Sequence, residues 1–351
     1  MKTNAFLIAT LIILAYSTHA SANTHHAYTN TVSAHNINTI QRSIITTSFN
    51  SFRQTATPNT TKQTKDTSTN IYGQMPTYGE YNDDGSMGRS GGDTAHKTML
   101  ANIWLTGTRV DDTLKFDEHD PFESQLDIIS AGITGNQSNI GHTFHNWGLY
   151  TGYITGDQEN KSINIDEQGG FFGIYNGFFT QKFNLATTIN GGAIDNANDF
   201  ALGTDGYTNF WMGGAIQMSY DIALDKIFII RPALYTGYTW IKSNDYTSVS
   251  NDKISNDTFH FFEISPEIKA IKNIGNGWTG AINAKYIITL TDGGNTYINN
   301  TKLTKLDTGN FFEYGLSVEK QFKKTTMSAN IGRRDGFRYG WFGGLDIKYA
   351  F

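Results

Sequence analysis

The chain contains no cysteine, and that absence removes disulfide frameworks, thiolate nucleophiles and cysteine metal sites together. It has no excess of one charge: 27 basic against 32 acidic side chains leave a net charge of -5, with nothing that points to nucleic acid. Beyond Asn23 it has no apolar run of the about eighteen residues that a transmembrane helix needs. If such a chain enters a membrane it must do so as a closed barrel, because an open sheet in lipid would leave edge amides unsatisfied. Proline is scarce, with five in 351 residues, and charged residues make up only 17%.

What the chain has instead is glycine (36 residues) and aromatic side chains (13%), against a mean hydropathy typical of soluble proteins. A membrane barrel gives this combination, since only alternate residues of each strand meet lipid and the others meet water. The length allows one large domain or two ordinary ones.

Residues 1–22 read as a cleavable signal peptide. Lys2 supplies the positive start, Phe6 to Tyr16 is an apolar run too short to span a bilayer, and Ala20-Ser21-Ala22 places small residues before Asn23. From Asn23 to about residue 99 the texture is different. Ile37, Ile40, Ile44, Ile45, Phe49 and Phe52 recur at helical spacing and predict one amphipathic helix over about 37–53, although Thr and Asn lower its propensity. Gln54 to Asn70 is Thr/Asn/Lys-rich and Gly73 to Asp93 is Gly/Asp/Asn-rich, the composition of linkers.

From residue 100 to Phe351 the pattern becomes period-two alternation in runs of about nine to twelve residues, separated by Asn/Asp/Gly clusters. Phe312, Tyr314, Leu316 and Val318 oppose Glu313, Gly315, Ser317 and Glu319, and Trp341, Leu345, Ile347, Tyr349 and Phe351 oppose Asp346 and Lys348. A soluble sandwich also alternates, but its strands are usually about five or six residues long. These runs approach the length of a tilted transmembrane strand. Aromatic residues gather toward run ends, as Trp147, Tyr153, Tyr238, Trp240, Trp278, Tyr339 and Tyr349 do, which is where a girdle at the lipid–water boundary would lie.

The runs predict an all-β, transmembrane antiparallel barrel of about twelve strands, centred near Trp104, Ile129, Tyr150, Ile174, Leu185, Gly214, Leu234, Ile264, Ala284, Gly315, Ala329 and Leu345. Asn276-Gly277 and Lys323-Lys324 read as short periplasmic turns. Gly156 to Gln168, Ser243 to Asp257 and Asp292 to Gly309 read as outer loops. Pro232 and Pro266 fall inside predicted strands, where each removes a ladder hydrogen bond, so a strand end or bulge is expected there.

At this point the sequence resembles the C-terminal β-barrel translocator domain of autotransporters, the type V secretion family. The resemblance rests on Ile103-Trp104-Leu105 followed by Gly107, the run from Leu126 to Asn136, the run from His145 to Gly156, and Gly173-Ile174-Tyr175. It rests also on Ile229 to Trp240 and on a last strand ending in an aromatic residue at Phe351. It implies a twelve-stranded outer-membrane barrel of a Gram-negative bacterium, with a helix threading the pore upstream of the first strand. It further implies insertion by periplasmic chaperones and the BAM machinery, with Gly344, Ile347, Tyr349 and Phe351 as the signal in the last strand. An alternating strand with free edge groups can pair with an open edge of an insertase. Outer-membrane lipid is then the other partner, with a monomeric barrel.

No β-helix repeat of a usual passenger is visible before the barrel. Self-cleaving members cut between paired asparagines in the pore helix, whereas Asn299-Asn300 falls in a predicted outer loop, so that activity is not carried over. Two functions stay open: a translocator that anchors, and could display, its short N-terminal segment, or a porin-like channel or surface-loop adhesin without passenger secretion.

Candidate side chains are lumen-facing charges: Arg231, then Glu263, Glu267 and Lys269, then Lys285, Glu313 and Glu319, and finally Arg334, Asp346 and Lys348. They could bind a plug or select solutes, or could neutralise one another as the polar interior of any barrel does. No Ser/His spacing around His142, His145 or His260 matches a hydrolase motif, so no enzyme is expected. His25-His26 supplies too few ligands for a metal, and no cofactor is expected. In unboiled SDS samples the full chain should migrate as a compact band that shifts on heating; a band insensitive to heating would point to a soluble sandwich.

Overall fold

A computed structural model describes residues 29–46, 99–116, 120–140, 143–180, 182–200, 203–225, 227–303 and 308–351. The predicted signal peptide and the predicted linker stretches lie outside the described residues.

Twelve long strands follow one another: β1 (Met99–Leu114), β2 (Phe122–Ile140), β3 (Thr143–Asn160), β4 (Ile163–Phe179), β5 (Phe183–Phe200) and β6 (Gly203–Tyr220). They continue as β7 (Phe228–Ser243), β8 (Phe259–Gly275), β9 (Trp278–Gly293), β10 (Phe311–Phe322), β11 (Thr325–Gly336) and β12 (Arg338–Ala350). Each pairs antiparallel with the next, and β12 returns to β1, with Asn102 opposite Ala350 and Leu114 opposite Arg338. The ring is closed, so no edge is left unpaired.

The predicted alternation places side chains on the two faces of this ring. Along β4, Ile163, Ile165, Phe171 and Tyr175 are buried inside, while Phe172 and Ile174 point out. Outward residues stay uncovered by protein: Phe172 is 71% exposed, Leu345 66% and Ile189 60%. In a sandwich these side chains would bury one another across two sheets. Here only lipid is left to cover them.

The strands are longer than the apolar runs that predicted them, up to 19 residues in β2. The excess lies largely at one end of the ring. Gly156 to Gln168, expected as an outer loop, is instead two strand ends in register, from Gly156 opposite Glu167 to Asn160 opposite Ile163, turning at Lys161 and Ser162. Hydrogen bonds across the hairpin continue past the apolar stretch because polar residues pair their backbones equally well. The expected loops Ser243 to Asp257 and Asp292 to Gly309 also acquire order: Tyr246–Thr247, Lys253–Asn256, Thr296–Ile298 and Thr301–Lys302 join in a small sheet that links them. Asn299 and Asn300, with φ of 48° and 69°, make its hairpin turn, a conformation that asparagine tolerates better than most residues.

At the opposite end the connections are short, and Asn276 and Gly277 (φ 51° and 77°) form a tight hairpin turn as predicted. Both ends of the barrel chain, Met99 and Ala350, lie at this turn end. In barrels of this class short turns are periplasmic and longer loops extracellular. The two prolines sit where one ladder lapses. The β8–β9 pairing passes from Ile264 to Glu267, skipping Pro266, and the β6–β7 pairing ends at Ala233, beside Pro232.

The one described helix, α1, spans 29–46, so it starts earlier than the predicted 37–53, and residues 47–53 of that prediction lie outside the described residues. It runs inside the ring and is buried on every side: Thr31, Asn36, Thr39 and Gln41 are as hidden as Ile37 and Ile40. Propensity read from the apolar stripe alone missed its first two turns, because their Thr, Ser and Asn side chains find partners on the barrel wall. Leu345→Arg, on the lipid face of β12, should destabilise the barrel by about 2–4 kcal/mol, measured by urea unfolding in vesicles; an unchanged midpoint would mean that this face does not meet lipid.

Candidate functional site

The lumen holds α1 in a defined direction. Near its start, the Ser243 hydroxyl donates to Asn30 Oδ1 at 2.8 Å and Asn209 Nδ2 donates to Ser33 Oγ at 2.8 Å; both wall residues lie in the loop-end half of β7 and β6. Farther along, Gln41 Nε2 donates to the carbonyls of Gly214 and Tyr238, each at 2.9 Å. Ile45 packs on Ala215 and Tyr235, nearer the turn end. The helix therefore enters from the loop end and points its C-terminus toward the turns.

One wall of the lumen is aromatic. Ala34, Ile37, Ile40 and Ile44 share a cluster with inward Trp104, Tyr150, Phe171, Tyr175 and Trp211, from strands β1 to β6. The rings lie flat because glycines sit beneath them: a Cβ at Gly148 would run into Tyr175, and one at Gly173 into Tyr150. The polar tips of three of them are satisfied within the wall, as Trp104 Nε1 donates to Tyr175 Oη at 2.9 Å and Tyr150 Oη pairs with Thr188 Oγ1 at 2.8 Å. The same device seats the helix, since a Cβ at Gly213 would collide with the Gln41 side chain. At the loop end, Val32 is enclosed by Leu114, Phe116, Phe122, Ile163 and Ile165, with Phe337 against them.

The opposite wall is charged. Arg338 donates from Nε and Nη2 to the two oxygens of Asp112, each at 2.8 Å. It also donates from Nη1 to the His35 carbonyl at 3.2 Å and to the Thr39 hydroxyl, and from Nη2 to Asn36 Oδ1 at 3.2 Å. Arg334 bridges Asp112 at 2.7 Å and Glu313 at 3.0 Å, and Lys285 completes the chain to Glu313 at 2.5 Å. Arg42 faces Glu263 at 3.7 Å and lies over the Phe311 ring at 5.1 Å. On the aromatic side, Asn36 donates to Glu167 of β4 at 2.9 Å.

Burying each isoleucine contributes about 1.5–3 kcal/mol, whereas a buried ion pair contributes little net stability after desolvation. The apolar stripe therefore holds the helix, and the charged wall fixes its rotation and depth.

The predicted lumen charges divide between two levels. Glu263, Lys285, Glu313 and Arg334 are in or beside the network that meets the helix. Arg231 pairs with Asp221 at 2.5 Å at the turn end, apart from it. Asp346 accepts from Ser328 at 3.0 Å and from Thr106, while Lys348 is buried on the same strand. Glu267 lies opposite Lys285, Lys269 opposite Arg231 and Glu319 opposite Ser328.

Sequence reasoning missed Asp112, Arg338, Arg42 and Glu167. Parity would have placed Asp112 inward with Trp104 and Thr106, and Arg338 inward with Asp346 and Lys348; that they converge on one helix is a product of ring closure. Of the last-strand residues, Ile347 lies opposite Leu105 and Tyr349 opposite Ile103, so the seam that closes the ring contains them; Gly344 lies opposite Thr108, and Phe351 is exposed just beyond the strand. His145 pairs with Asn176 and stacks on Phe178 at the turn end, and His260 pairs with the Tyr238 hydroxyl at 2.7 Å at the loop end, so the two do not form one constellation. His142 lies outside the described residues.

The ring is similar to several solved barrels. The transport unit of the autotransporter AIDA-I from Escherichia coli matches at TM-score 0.60 and 12% identity, over 74% of this chain and 93% of that one. The beta domain of the Bordetella autotransporter BrkA matches at 0.58 and 12%, over 72% and 100%. The translocator domain of NalP from Neisseria meningitidis matches at 0.57 and 12%, over 73% and 90%. At such identities the likeness is one of fold. No curated protein matches the sequence. The autotransporter beta-domain family, however, matches residues 104–332, well over half of the chain. The chain thus belongs to the autotransporter beta-domain family, translocator barrels of the Gram-negative outer membrane.

Proposed function

We propose that this translocator barrel anchors the chain in the outer membrane and presents its N-terminus at the cell surface, with α1 retained as a stopper. The direction of α1 is the observation that supports this reading. A helix whose Asn30 and Ser33 sit at the loop end, and whose Ile45 sits toward the turns, leads the preceding residues outward. The same direction gives residues 47–98 a different address. They leave the helix facing the turn end and rejoin the barrel at Met99, which is also at the turn end. That segment therefore belongs to the periplasmic side, and the part presented outside is the stretch before residue 29. A signal peptide cut before Asn23 and insertion through the last strand by chaperones and the BAM machinery complete this reading. A freely conducting channel is disfavoured by the packing of α1 against both walls.

The absence of native cysteine makes topology directly measurable. Thr24→Cys should react with a membrane-impermeant maleimide on intact cells, and Ser68→Cys only after the outer membrane is permeabilised; labelling of Ser68→Cys on intact cells would overturn the assignment. Gly213→Leu should displace Gln41 and raise single-channel conductance in planar bilayers, while the heat-shifted band persists. Arg338→Ala should do the same, because removing one partner of a buried pair costs about 3–5 kcal/mol. If neither variant conducts more than the parent chain, α1 is not the stopper.

A further inference from the structure

The outward wall at the loop end of β10 to β12 carries an arrangement that the lumen does not use. Tyr314, Arg333 and Trp341 are cross-strand neighbours in one row, which ends at Asp111 on β1. Arg333 lies over two aromatic rings, 4.6 Å from the Tyr339 centroid and 5.4 Å from that of Trp341. Its Nε faces Asp335 at 3.4 Å, and its Nη2 donates to the Tyr339 hydroxyl. Asp335 also accepts from the Tyr314 hydroxyl at 2.6 Å. Lys115, just beyond β1, brings its ammonium to 4.5 Å from the same Tyr339 ring.

Two cations thus share one ring on the face that meets lipid. Among the described residues, neither the Lys115 ammonium nor Arg333 Nη1 has a hydrogen-bond acceptor. A cation on this face is costly at mid-bilayer and tolerated at headgroup level, and the aromatic rings mark that level. Asp335 is the carboxylate that faces both, through its ion pair with Arg333 and its electrostatic contact with Lys115, so two cations share one anion and a positive charge is left over; phosphate is the anion that membrane headgroups supply to such a site.

We propose that Arg333 and Lys115 bind a phosphate group of an outer-leaflet lipid, with Tyr339 holding both cations in place. The test uses the full chain, folded in mild detergent and titrated with bisphosphorylated lipid A, with the dephosphorylated lipid, and with inorganic phosphate as competitor, read by native mass spectrometry. The parent chain should retain the phosphorylated lipid, and Arg333→Gln/Lys115→Gln should weaken retention about tenfold or more. Arg109→Gln, an outward arginine paired with Asp127 at 3.3 Å and placed outside the Tyr339 cluster, should leave it unchanged. The heat-shifted band verifies folding. Should the double variant not fold, Lys115→Gln alone carries the test, because Lys115 lies outside the strands. Equal retention by the variants, equal retention of the dephosphorylated lipid, or displacement by inorganic phosphate would each overturn the proposal.

Discussion

The structure depends on the pairing of the last strand with the first. In hydrocarbon an unpaired backbone amide or carbonyl has no water to turn to, and a sheet that stopped at β11 would expose a whole row of them. The β1–β12 ladder removes that row along its full length. Once the ring is closed, inside and outside are distinct environments, and the alternation of each strand acquires its meaning. Side chains such as Leu345 and Ile189 on one parity face lipid, and the aromatic, polar and charged side chains of the other enclose a lumen.

Closure also makes the lumen narrow enough to be filled by one helix. The filling is asymmetric. Strands β1 to β6 supply flat aromatic rings bedded on glycine, against which the isoleucines of α1 lie, and strands β8 to β12 with Asp112 of β1 supply a relay of charges. This division resolves an apparent conflict in the chain, an apolar stripe on a helix destined for a polar interior. Wall residues Ser243, Asn209 and Thr239 meanwhile supply Asn30, Ser33 and Asn38 of α1 with hydrogen bonds that these side chains would otherwise make with water. The direction of α1 is what the proposed topology of the chain rests on.

Electrostatics do different work on the two faces of the wall. Inside, Arg334 is held by Asp112 and Glu313, and Arg338 by Asp112 and the His35 carbonyl of the helix, so they set position. Outside, Arg333 is one residue away and on the opposite parity, stacked on aromatic rings with donors still unfilled. A single step in sequence thus separates a structural arginine from one poised at the lipid headgroups.

Much of the barrel was determined by sequence alone, because strand parity and girdle aromatics are local signals: twelve centres from Trp104 to Leu345 each fall in one observed strand. The tight turn at Asn276-Gly277 was equally local. Local signals do not carry as far as the strand ends, where polar pairs such as Asp157 with Asp166 and Glu159 with Asn164 extend the ladder without an apolar outer face to announce it. Nor could they find the site. Asp112 and Arg338 lie more than two hundred residues apart in the chain and meet only because the ring closes. The true start of α1 was hidden for the same reason: Asn30 and Ser33 are poor helix formers until Ser243 and Asn209 satisfy them. Tertiary structure alone supplied those partners.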